Sequence, residues 1–155
     1  MNLHIRKAGR LDARSLSTFL NDTIGLSNIS PDEIIERMRL DGSAWLLAED
    51  AGGRILGVQW IENNPEFLGD VADISSFIAQ DEKGLSIGSQ LFKATCDTAR
   101  NLGYQALDAI IRADNERGIT YYQSRGFEQI KRLENVPLEG GTYADKIWKR
   151  YALKR

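Results

Sequence analysis

The chain is poor in the residue types that staple small proteins or bind metals. Its 155 residues include 1 Cys, 1 His and 3 Pro. Cys96 has no second cysteine with which to close a disulfide within the chain, so nothing indicates an oxidising compartment and we expect a cytoplasmic location. Because His4 is the only histidine and stands beside the terminus, a histidine-based metal site or a Ser-His-Asp arrangement would depend on that one side chain. We therefore expect no metal site.

Long apolar runs and a basic excess are also missing. The longest unbroken apolar run, Ala44 to Ala48, is far shorter than the roughly 20 residues of a membrane helix, and the N-terminus lacks the apolar region of a secretion signal. The sequence has 20 Lys+Arg against 22 Asp+Glu, a net charge of -2 and a pI of about 5.5. Nucleic-acid binding normally shows as a basic excess, so we expect neither a membrane nor a nucleic acid as a partner.

The rest of the composition is typical of a folded globular protein. Hydrophobic residues make up 42% and charged residues 27% of the sequence. At about 150 residues per domain, this length predicts one domain over residues 1–155.

Periodicity in the first part of the chain predicts two helices and three strands. Leu3 to Lys7 alternates like a strand, and apolar residues then recur at helical spacing from Leu16 to Ile24. Ser30-Pro31 is a good start for a second helix, because serine caps and proline suits the first turn. The strand-like runs Ala44 to Glu49 and Arg54 to Asn63 are separated by a glycine-containing turn, which predicts an antiparallel hairpin.

The second part alternates strands and helices. A long helix is predicted with one face of Ile87, Leu91, Thr95, Thr98 and Leu102, and with Gly103 as its left-handed terminator. The other predicted elements are strands at Val71 to Ala79 and Ala106 to Ile111, a helix at Asn115 to Arg125 closed by Gly126, and strands at Phe127 to Lys131 and Asp145 to Leu153. The resulting order, β-α-α-β-β-β-α-β-α-β-β, predicts a mixed α+β architecture.

One segment has the composition of an anion site. Lys83-Gly84-Leu85-Ser86-Ile87-Gly88 lies between a predicted strand and the first turn of the long helix. Helix N-termini present N–H groups and a partial positive charge, and small residues let a phosphate approach the backbone, so a diphosphate fits there. The alternative is a glycine-containing turn that binds no ligand.

A second segment identifies a family. Asn115, Tyr122, Gly126 and Phe127 form an Asn, aromatic and Gly-Phe pattern after the next strand. With the first segment, which is similar to the motif Arg/Gln-x-x-Gly-x-Gly/Ala, this pattern resembles the GNAT superfamily of acyl-CoA-dependent N-acyltransferases. The resemblance covers nearly the whole chain by element order, and its specific residues lie between Ala72 and Phe127.

The resemblance implies a GNAT-like fold, with a mixed, mostly antiparallel central sheet flanked by helices, and acetyl-CoA as the acyl donor. In the family, the strand before the diphosphate loop is splayed and leaves backbone N–H groups available, here in the Phe77 to Ala79 region. The residues that the resemblance implies for coenzyme binding are Phe77, Ile78, Ala79, Lys83, Gly84, Leu85, Ser86, Ile87, Gly88, Ser89, Asn115 and Tyr122.

Three positions depart from the family pattern. Ser86 stands where glycine is usual, and left-handed geometry there would cost a serine on the order of 1–2 kcal/mol. Lys83 replaces the usual arginine or glutamine. Gly118 replaces a small helical residue, at about 1 kcal/mol of helix propensity unless close packing requires it.

The resemblance also suggests catalytic residues. Tyr122 is the candidate general acid for the departing thiolate, because an ordinary tyrosine is protonated at neutral pH. The alternative is that Tyr122 is a core residue, since it shares a helical face with Ile119. Tyr121 is the neighbouring candidate and is expected to face elsewhere.

Asp73 is the candidate general base for the amine. It would lie on the strand before the diphosphate loop among apolar neighbours, and burial would raise its pKa. Glu62 and Asp108 are alternatives, as is the absence of any side-chain base. Cys96 lies within a helical apolar stripe, which favours direct transfer to the amine over a covalent enzyme intermediate.

The expected acceptor is a small or amino-acid-like primary amine. An acidic rim of Asp22, Asp32, Glu33, Glu62 and Glu66 would favour a cationic amine. Asn115 is expected to cap its helix, contact the pantetheine, or do both. A homodimer sharing the strands around Val136 to Trp148 is left open. The alternative function is a degenerate GNAT-like module that binds acyl-CoA without catalysis, and a nucleotide-phosphate binder ranks last because no Walker-type sequence is present.

Overall fold

The structure is a computed structural model and describes residues 3–23, 28–79 and 86–153. Within these residues seven strands form one sheet in the order β1-β2-β3-β4-β5-β7-β6. The strands are β1 (His4–Lys7), β2 (Ala44–Glu49), β3 (Ile55–Asn63), β4 (Val71–Ile78), β5 (Ala106–Arg112), β6 (Glu128–Pro137) and β7 (Tyr143–Ala152). The helices are α1 (Ala13–Thr18), α2 (Pro31–Met38), α3 (Ile87–Asn101) and α4 (Glu116–Ser124).

The predicted element order and the mixed α+β class are confirmed. Every pairing between neighbouring described strands is antiparallel except that of β4 with β5, which is parallel. The parallel pair needs a crossover, and α3 provides it between the two strands. The sheet is therefore mostly antiparallel, as predicted.

Helices cover the sheet on both faces. Side chains of α3 and α4 pack with β3, β4 and β5 in one cluster that includes Ile74 and Leu107. Side chains of α1 and α2 pack on the opposite face against β2 and β3, where Trp45 stacks on Trp60 at 4.2 Å between ring centroids. Alternate residues of β4 therefore face the two layers in turn.

Some boundaries differ from the predicted ones. The first helix continues after Thr18 as a π-helical turn over Phe19–Thr23, and β6 extends to Pro137, beyond the predicted end at Lys131. Leu102, predicted on the buried face of α3, is 47% exposed because the helix ends one residue earlier. No helix among the described residues is long and apolar enough to cross a membrane.

The feature of the sheet that matters most for the site is a fork between β4 and β5. Their parallel pairing runs from Val71↔Ala106 to Asp73↔Asp108 and goes no further among the described residues. β4 nevertheless continues to Ile78 on the edge of β3, while β5 continues to Arg112 on the edge of β7. The two strands therefore diverge and open a gap in the middle of the sheet.

Candidate active site

A pocket of about 340 Å³ lies between the end of β4 and helix α4, at the open side of the fork. Its lining residues are Ser76, Phe77, Ile78, Asn115, Arg117, Gly118, Tyr121 and Tyr122. Four of the positions that the resemblance implied for the coenzyme or the general acid therefore line one pocket: Phe77, Ile78, Asn115 and Tyr122. A fifth, Gly88, lies against the ring of Tyr121, which lines the same pocket.

The backbone of β4 directs alternate amides towards the gap. The Ala79 N–H donates to the Leu56 carbonyl of β3 at 2.9 Å, so the expectation of an available amide does not hold for Ala79. Because successive N–H groups alternate along a strand, the Ile78 N–H points away from β3, towards the side that β5 has left. The Ile78 amide is therefore available to meet a ligand in the fork.

The start of α3 has the predicted geometry where it is described. Residues 80–85 lie outside the described ranges, so the roles expected of Lys83, Gly84 and Leu85 stay predictions. Ser86 is left-handed at φ 54° and ψ 33°, the conformation that would cost a serine the predicted 1–2 kcal/mol. The first helical bond is that of the Gln90 N–H to the Ser86 carbonyl, so the N–H groups of residues 87–89 have no acceptor within the helix.

Gly88 is held against α4. A Cβ at this position would lie 2.6 Å from Cε1 of Tyr121 and 3.1 Å from Cδ1 of Ile78. The Tyr121 hydroxyl donates to the Gly88 carbonyl at 2.8 Å. Only glycine allows this contact, which fixes the first turn of α3 relative to the pocket.

Arg125 brings a positive charge to the same turn. Its guanidinium donates to the Ser89 hydroxyl and lies 5.8 Å from the centroid of the Tyr121 ring. Its Nε is buried and has no hydrogen-bond partner among the described residues. A cation at a helix N-terminus with a donor to spare favours an anionic ligand.

Tyr122 lies under the pocket. Its side chain is 6% exposed and its hydroxyl is 2.8 Å from the Ser76 Oγ on β4. Burial raises the pKa of Tyr122 strongly, and the hydrogen bond with Ser76 opposes that rise in part. The phenol therefore stays protonated at neutral pH. Ile119 packs on the same core cluster, so Tyr122 has the core contacts of the alternative expectation, and its catalytic role stays a prediction.

The sequence led us to expect that Tyr121 faces away from Tyr122 and the pocket, and this expectation is wrong. Its ring makes an edge contact with Tyr122 at 5.1 Å and lines the same pocket. Burial raises the pKa of Tyr121 to about 12. Because its single hydroxyl hydrogen is given to the Gly88 carbonyl, it is not available to a ligand.

Three polar side chains, two of them buried and one half-buried, connect these elements. Gln59 of β3 is fully buried; its Nε2 donates to the Ser76 Oγ at 3.0 Å and to the Tyr121 hydroxyl at 2.8 Å. The Thr95 hydroxyl of α3 donates to the Gln59 Oε1 at 2.6 Å. We call Gln59, Thr95 and Ser76 the polar core cluster; it joins β3, β4, α3 and, through the two tyrosines, α4.

Asp73 stands at the vertex of the fork, on the other face of the sheet. It pairs with Asp108 at the last parallel register and with Glu62 across β3. Its side chain is half-buried and accepts a hydrogen bond from the Asn64 Nδ2 at 3.1 Å. Burial raises the pKa of Asp73, as do the nearby charges of Asp108, Glu62 and Glu66.

The two alternative bases are already paired. Asp108 is 1% exposed and accepts from Arg150 at 2.7 and 3.0 Å and from the Trp148 indole at 2.9 Å. Glu62 accepts from Arg37 at 2.9 and 3.0 Å. Asp73 is therefore the carboxylate at the fork that has no arginine partner among the described residues.

Asn115 caps helix α4 through the Gly118 N–H, and this contact leaves no room for a side chain at Gly118. The Asn115 Oδ1 accepts from the Gly118 N–H at 3.0 Å, which is the predicted helix cap. A Cβ on Gly118 would lie 2.7 Å from the Asn115 Nδ2 and 3.1 Å from the Ile111 Cγ2. Close packing thus requires the glycine whose helix propensity is unfavourable.

Other sequence candidates lie away from the pocket. His4 belongs to β1, as expected, and its Nδ1 is 3.1 Å from the Glu49 Oε1. Cys96 is buried on α3, and burial raises the pKa of this thiol to about 11, which favours the predicted structural role. Among the described residues no group of three or more His, Cys, Asp and Glu side chains could hold a metal ion.

Sequence reasoning missed the polar core cluster and two arginines. Ser76 gave a weak signal, since it interrupts the apolar pattern of β4, and Gln59 gave a similar one in the apolar run of β3. Arg117, which lines the pocket, and Arg125 are exposed or half-exposed residues of a charged helix, a pattern that carries no signal of its own.

Comparisons with known proteins agree on one family. The family model described as "Acetyltransferase (GNAT) family" matches residues 16–127. An L-methionine sulfoximine/L-methionine sulfone acetyltransferase of Pseudomonas aeruginosa is 27% identical over 94% of this chain and 91% of that protein.

Solved structures share the fold. An N-acetyltransferase from Staphylococcus aureus is similar with a TM-score of 0.82 and 24% identity, covering 99% of this chain and 100% of that one. A putative acetyltransferase from Salmonella typhimurium, solved with acetyl-CoA, is similar with a TM-score of 0.81 and 20% identity, covering 99% of this chain and 95% of that one.

Proposed function

Because the chain belongs to the acetyltransferase (GNAT) family, as an acetyl-CoA-dependent N-acetyltransferase, we propose that it transfers the acetyl group directly to the primary amine of a small, amino-acid-like acceptor. The observation that carries this proposal is the fork between β4 and β5, which opens beside Tyr122 on one face of the sheet and beside Asp73 on the other. Donor and acceptor sites can thus meet through the sheet.

The residues present fit a diphosphate and a pantetheine arm. The N–H groups of residues 87–89 and the Arg125 guanidinium supply donors and positive charge at the start of α3. The Ile78 N–H faces the gap at the end of β4. We propose that these groups hold the coenzyme, with Lys83, Gly84, Leu85 and Ser86 completing the diphosphate loop.

When bound, acetyl-CoA supplies the acetyl group as a thioester and leaves as a thiol. The Ile78 N–H can polarise the carbonyl that enters the fork, because a fixed backbone donor costs no reorganisation at the moment of reaction. Tyr122 holds a proton at neutral pH and can give it to the departing sulfur. Since Cys96 is buried with a raised pKa, no covalent acetyl-enzyme is proposed.

Asp73 is the proposed base. Because burial and nearby acids raise its pKa, the Asp73 carboxylate is a better proton acceptor than an exposed aspartate. Glu66 adds negative charge near Asp73, whereas the charge of Glu62 is offset by its ion pair with Arg37; the carboxylates of Asp73 and Glu66 attract an ammonium group to this face. Asp73 would then take the proton that the amine must lose before attack.

The acceptor class follows from the same face and from the relatives. The acidic surroundings of Asp73 select for an amine, and the overall charge does not favour a polyanion such as tRNA. The Pseudomonas aeruginosa relative is named for L-methionine sulfoximine and L-methionine sulfone. We propose amino acids of this size, with an unmodified α-amino group, as the first acceptors to measure.

The test combines binding with turnover. Acetyl-CoA at about 100 times its Kd should stabilise the fold by about 2.7 kcal/mol, which corresponds to a rise in Tm of roughly 5–10 °C for a chain of this length. Thiol release should then depend on both acetyl-CoA and an amino-acid acceptor. Tyr122→Phe should lower kcat while the Tm shift with acetyl-CoA is kept.

Two results would contradict the proposal in different ways. A Tm that does not change with millimolar acetyl-CoA would exclude the donor site described above. A normal Tm shift without thiol release across a broad panel of amines would instead support the degenerate binding module, for which the left-handed Ser86 is the structural argument.

Assembly and location complete the proposal. We propose a homodimer in which the late strands, including the exposed edge strand β6, contribute the shared edge. Light scattering of the purified protein measures the mass directly. We also propose a cytoplasmic location, consistent with a single buried cysteine thiol.

A further inference from the structure

The polar core cluster has a hydrogen-bond pattern that its chemistry fixes almost completely. A carbonyl oxygen only accepts, so at the contact between Tyr121 and Gly88 the phenol is the donor. The Tyr121 oxygen must then accept from Gln59, which places the amide nitrogen of Gln59 on this side. The Gln59 oxygen accordingly faces Thr95 and accepts its hydroxyl hydrogen.

This orientation determines what Ser76 can do. The second N–H of Gln59 is directed at the Ser76 Oγ at 3.0 Å, so that oxygen accepts from Gln59 and keeps its own hydrogen to give away. The remaining neighbour of the Ser76 Oγ is the Tyr122 hydroxyl at 2.8 Å. Gln59 and Ser76 are directly paired across β3 and β4, so the contact is set by the register of the sheet.

The contact between Ser76 and Tyr122 allows two arrangements. If Tyr122 donates to Ser76, the phenol hydrogen is directed away from any ligand in the pocket. If Ser76 donates to Tyr122, the phenol hydrogen is left to point at the pocket that both residues line. The bond from Gln59 favours the second arrangement, because an oxygen that accepts a hydrogen bond becomes a better donor.

We infer that Ser76 is a positioning residue for the reaction: its hydroxyl, held by Gln59, donates to the Tyr122 oxygen, turns the phenol hydrogen towards the leaving sulfur and stabilises the phenolate that forms. This inference rests on the proposed function of Tyr122 as general acid. The protons balance: the ammonium group gives one proton to Asp73 before attack, and the nitrogen loses a second as the amide bond forms and the carbon–sulfur bond breaks. The thiolate gains a proton from Tyr122, whose phenolate recovers the second nitrogen proton through water, and Asp73 releases the first to water.

Activity measurements test the inference through a double-mutant cycle. Ser76→Ala should lower kcat about 10-fold, the value of one hydrogen bond to a developing charge, with the KM for acetyl-CoA unchanged. In the Tyr122→Phe background the same change should have no further effect on kcat, because Ser76 acts through the phenol. Ser76→Thr, which keeps the hydroxyl, should recover most of the rate.

The matched control is Ser43→Ala. The Ser43 Oγ is also buried, but it has no hydrogen-bond partner among the described residues. This variant should leave kcat unchanged. Melting curves of all variants show whether the fold is kept, and only variants with a cooperative transition enter the cycle.

An independent readout follows the phenol in the protein without ligands. Protein labelled with 3,5-difluorotyrosine, whose phenol is more acidic than that of tyrosine, gives a fluorine NMR signal for residue 122 that Tyr122→Phe assigns. Since the Ser76 hydroxyl stabilises the phenolate, Ser76→Ala should raise the pKa of this fluorinated phenol by about one unit. Ser43→Ala should leave it unchanged.

The outcomes separate this inference from the proposed function. If Tyr122→Phe keeps full kcat, the general acid of the proposed function is wrong. If Tyr122→Phe is slow while Ser76→Ala keeps the wild-type rate, Tyr122 remains the general acid and the role of Ser76 is wrong. The same conclusion follows if Ser76→Ala lowers kcat by the same factor in the wild-type and Tyr122→Phe backgrounds. An unchanged pKa of the fluorinated Tyr122 in Ser76→Ala would overturn the inference as well.

Discussion

Gly88→Ala is the substitution that most directly tests how the first turn of α3 is held against the pocket. The new Cβ would lie 2.6 Å from the Tyr121 Cε1 and 3.1 Å from the Ile78 Cδ1, whereas carbon atoms pack at about 3.5–4.0 Å. The Tyr121 ring must therefore move by about 1 Å. That movement strains its bonds to the Gly88 carbonyl and to Gln59, each 2.8 Å long.

The magnitude follows from two opposing effects. Overpacking of this kind costs about 1–3 kcal/mol, and the strained hydrogen bonds add about 1 kcal/mol. Alanine offsets up to about 1 kcal/mol of this through helix propensity. We expect a net loss of about 1–3 kcal/mol in the free energy of unfolding, seen as a Tm lower by roughly 2–10 °C, together with a higher KM for acetyl-CoA.

Thermal melting and initial-rate kinetics measure both effects. Gly9→Ala is the matched control, because Gly9 has an extended backbone at φ -124° and no neighbouring atom lies within 4 Å of the place that a Cβ would occupy. That control should change the stability by less than about 0.5 kcal/mol. Tyr121→Leu removes the ring that the new Cβ contacts. It should therefore lower the free energy of unfolding less in the Gly88→Ala protein than in the wild-type protein. A Gly88→Ala protein that melts at or above the wild-type Tm would refute the reasoning.

The remaining predictions concern single residues. Because burial raises the pKa of Asp73, kcat should fall as the pH drops through that raised value and the carboxylate takes a proton; Asp73→Asn should lower kcat by about 10²-fold or more and remove this acid limb in a pH-rate profile. Ser86→Gly relieves the left-handed strain of about 1–2 kcal/mol but makes the unfolded chain more flexible, so chemical denaturation should show a gain of up to about 1 kcal/mol; a loss would show that Ser86 makes a stabilising contact. Cys96 should not react with a thiol reagent at neutral pH until denaturant is added, since the thiol is buried and its pKa is about 11; rapid modification of the folded protein would contradict this. Arg150→Met should cost about 3 kcal/mol or more in a denaturant titration, because it leaves the Asp108 carboxylate buried without its guanidinium, and an unchanged midpoint would contradict that account.

Much of the fold could be predicted from periodicity and turn residues. The apolar stripe predicts α3, and the glycines after α3 and α4 predict where the two helices end; Gly103 and Gly126 indeed have φ values of 93° and 101°. The end of β6 could not be predicted in this way. Its residues are almost all exposed, so no buried face imposes an alternating pattern on the sequence.

The candidate site could be predicted in position but not in its hydrogen bonding. The motif residues Gly88, Asn115 and Tyr122 do come together around one pocket and its helix start. The contact between Gln59 and Ser76 depends on the register of β3 against β4, which local sequence does not encode. Tyr121 was expected to face elsewhere, since helical spacing separates neighbours by about 100°, but both rings line the pocket and make an edge contact with each other.

Side chains along β4 alternate between the two faces of the sheet, and this alternation has a consequence for how such a protein could acquire new substrates. Ser76 and Ile78 lie on the side proposed for the donor, whereas Asp73 lies on the opposite face; Phe77 packs against the opposite layer and also lines the pocket. Under the proposed function, exchanging a side chain at an odd-numbered position of β4 other than Asp73 or Phe77 would reshape the room for an incoming amine and leave the proposed donor contacts in place. One strand would thereby carry donor groups and acceptor groups on opposite faces, and directed evolution of the acceptor range would begin at the positions beside Asp73 on its face.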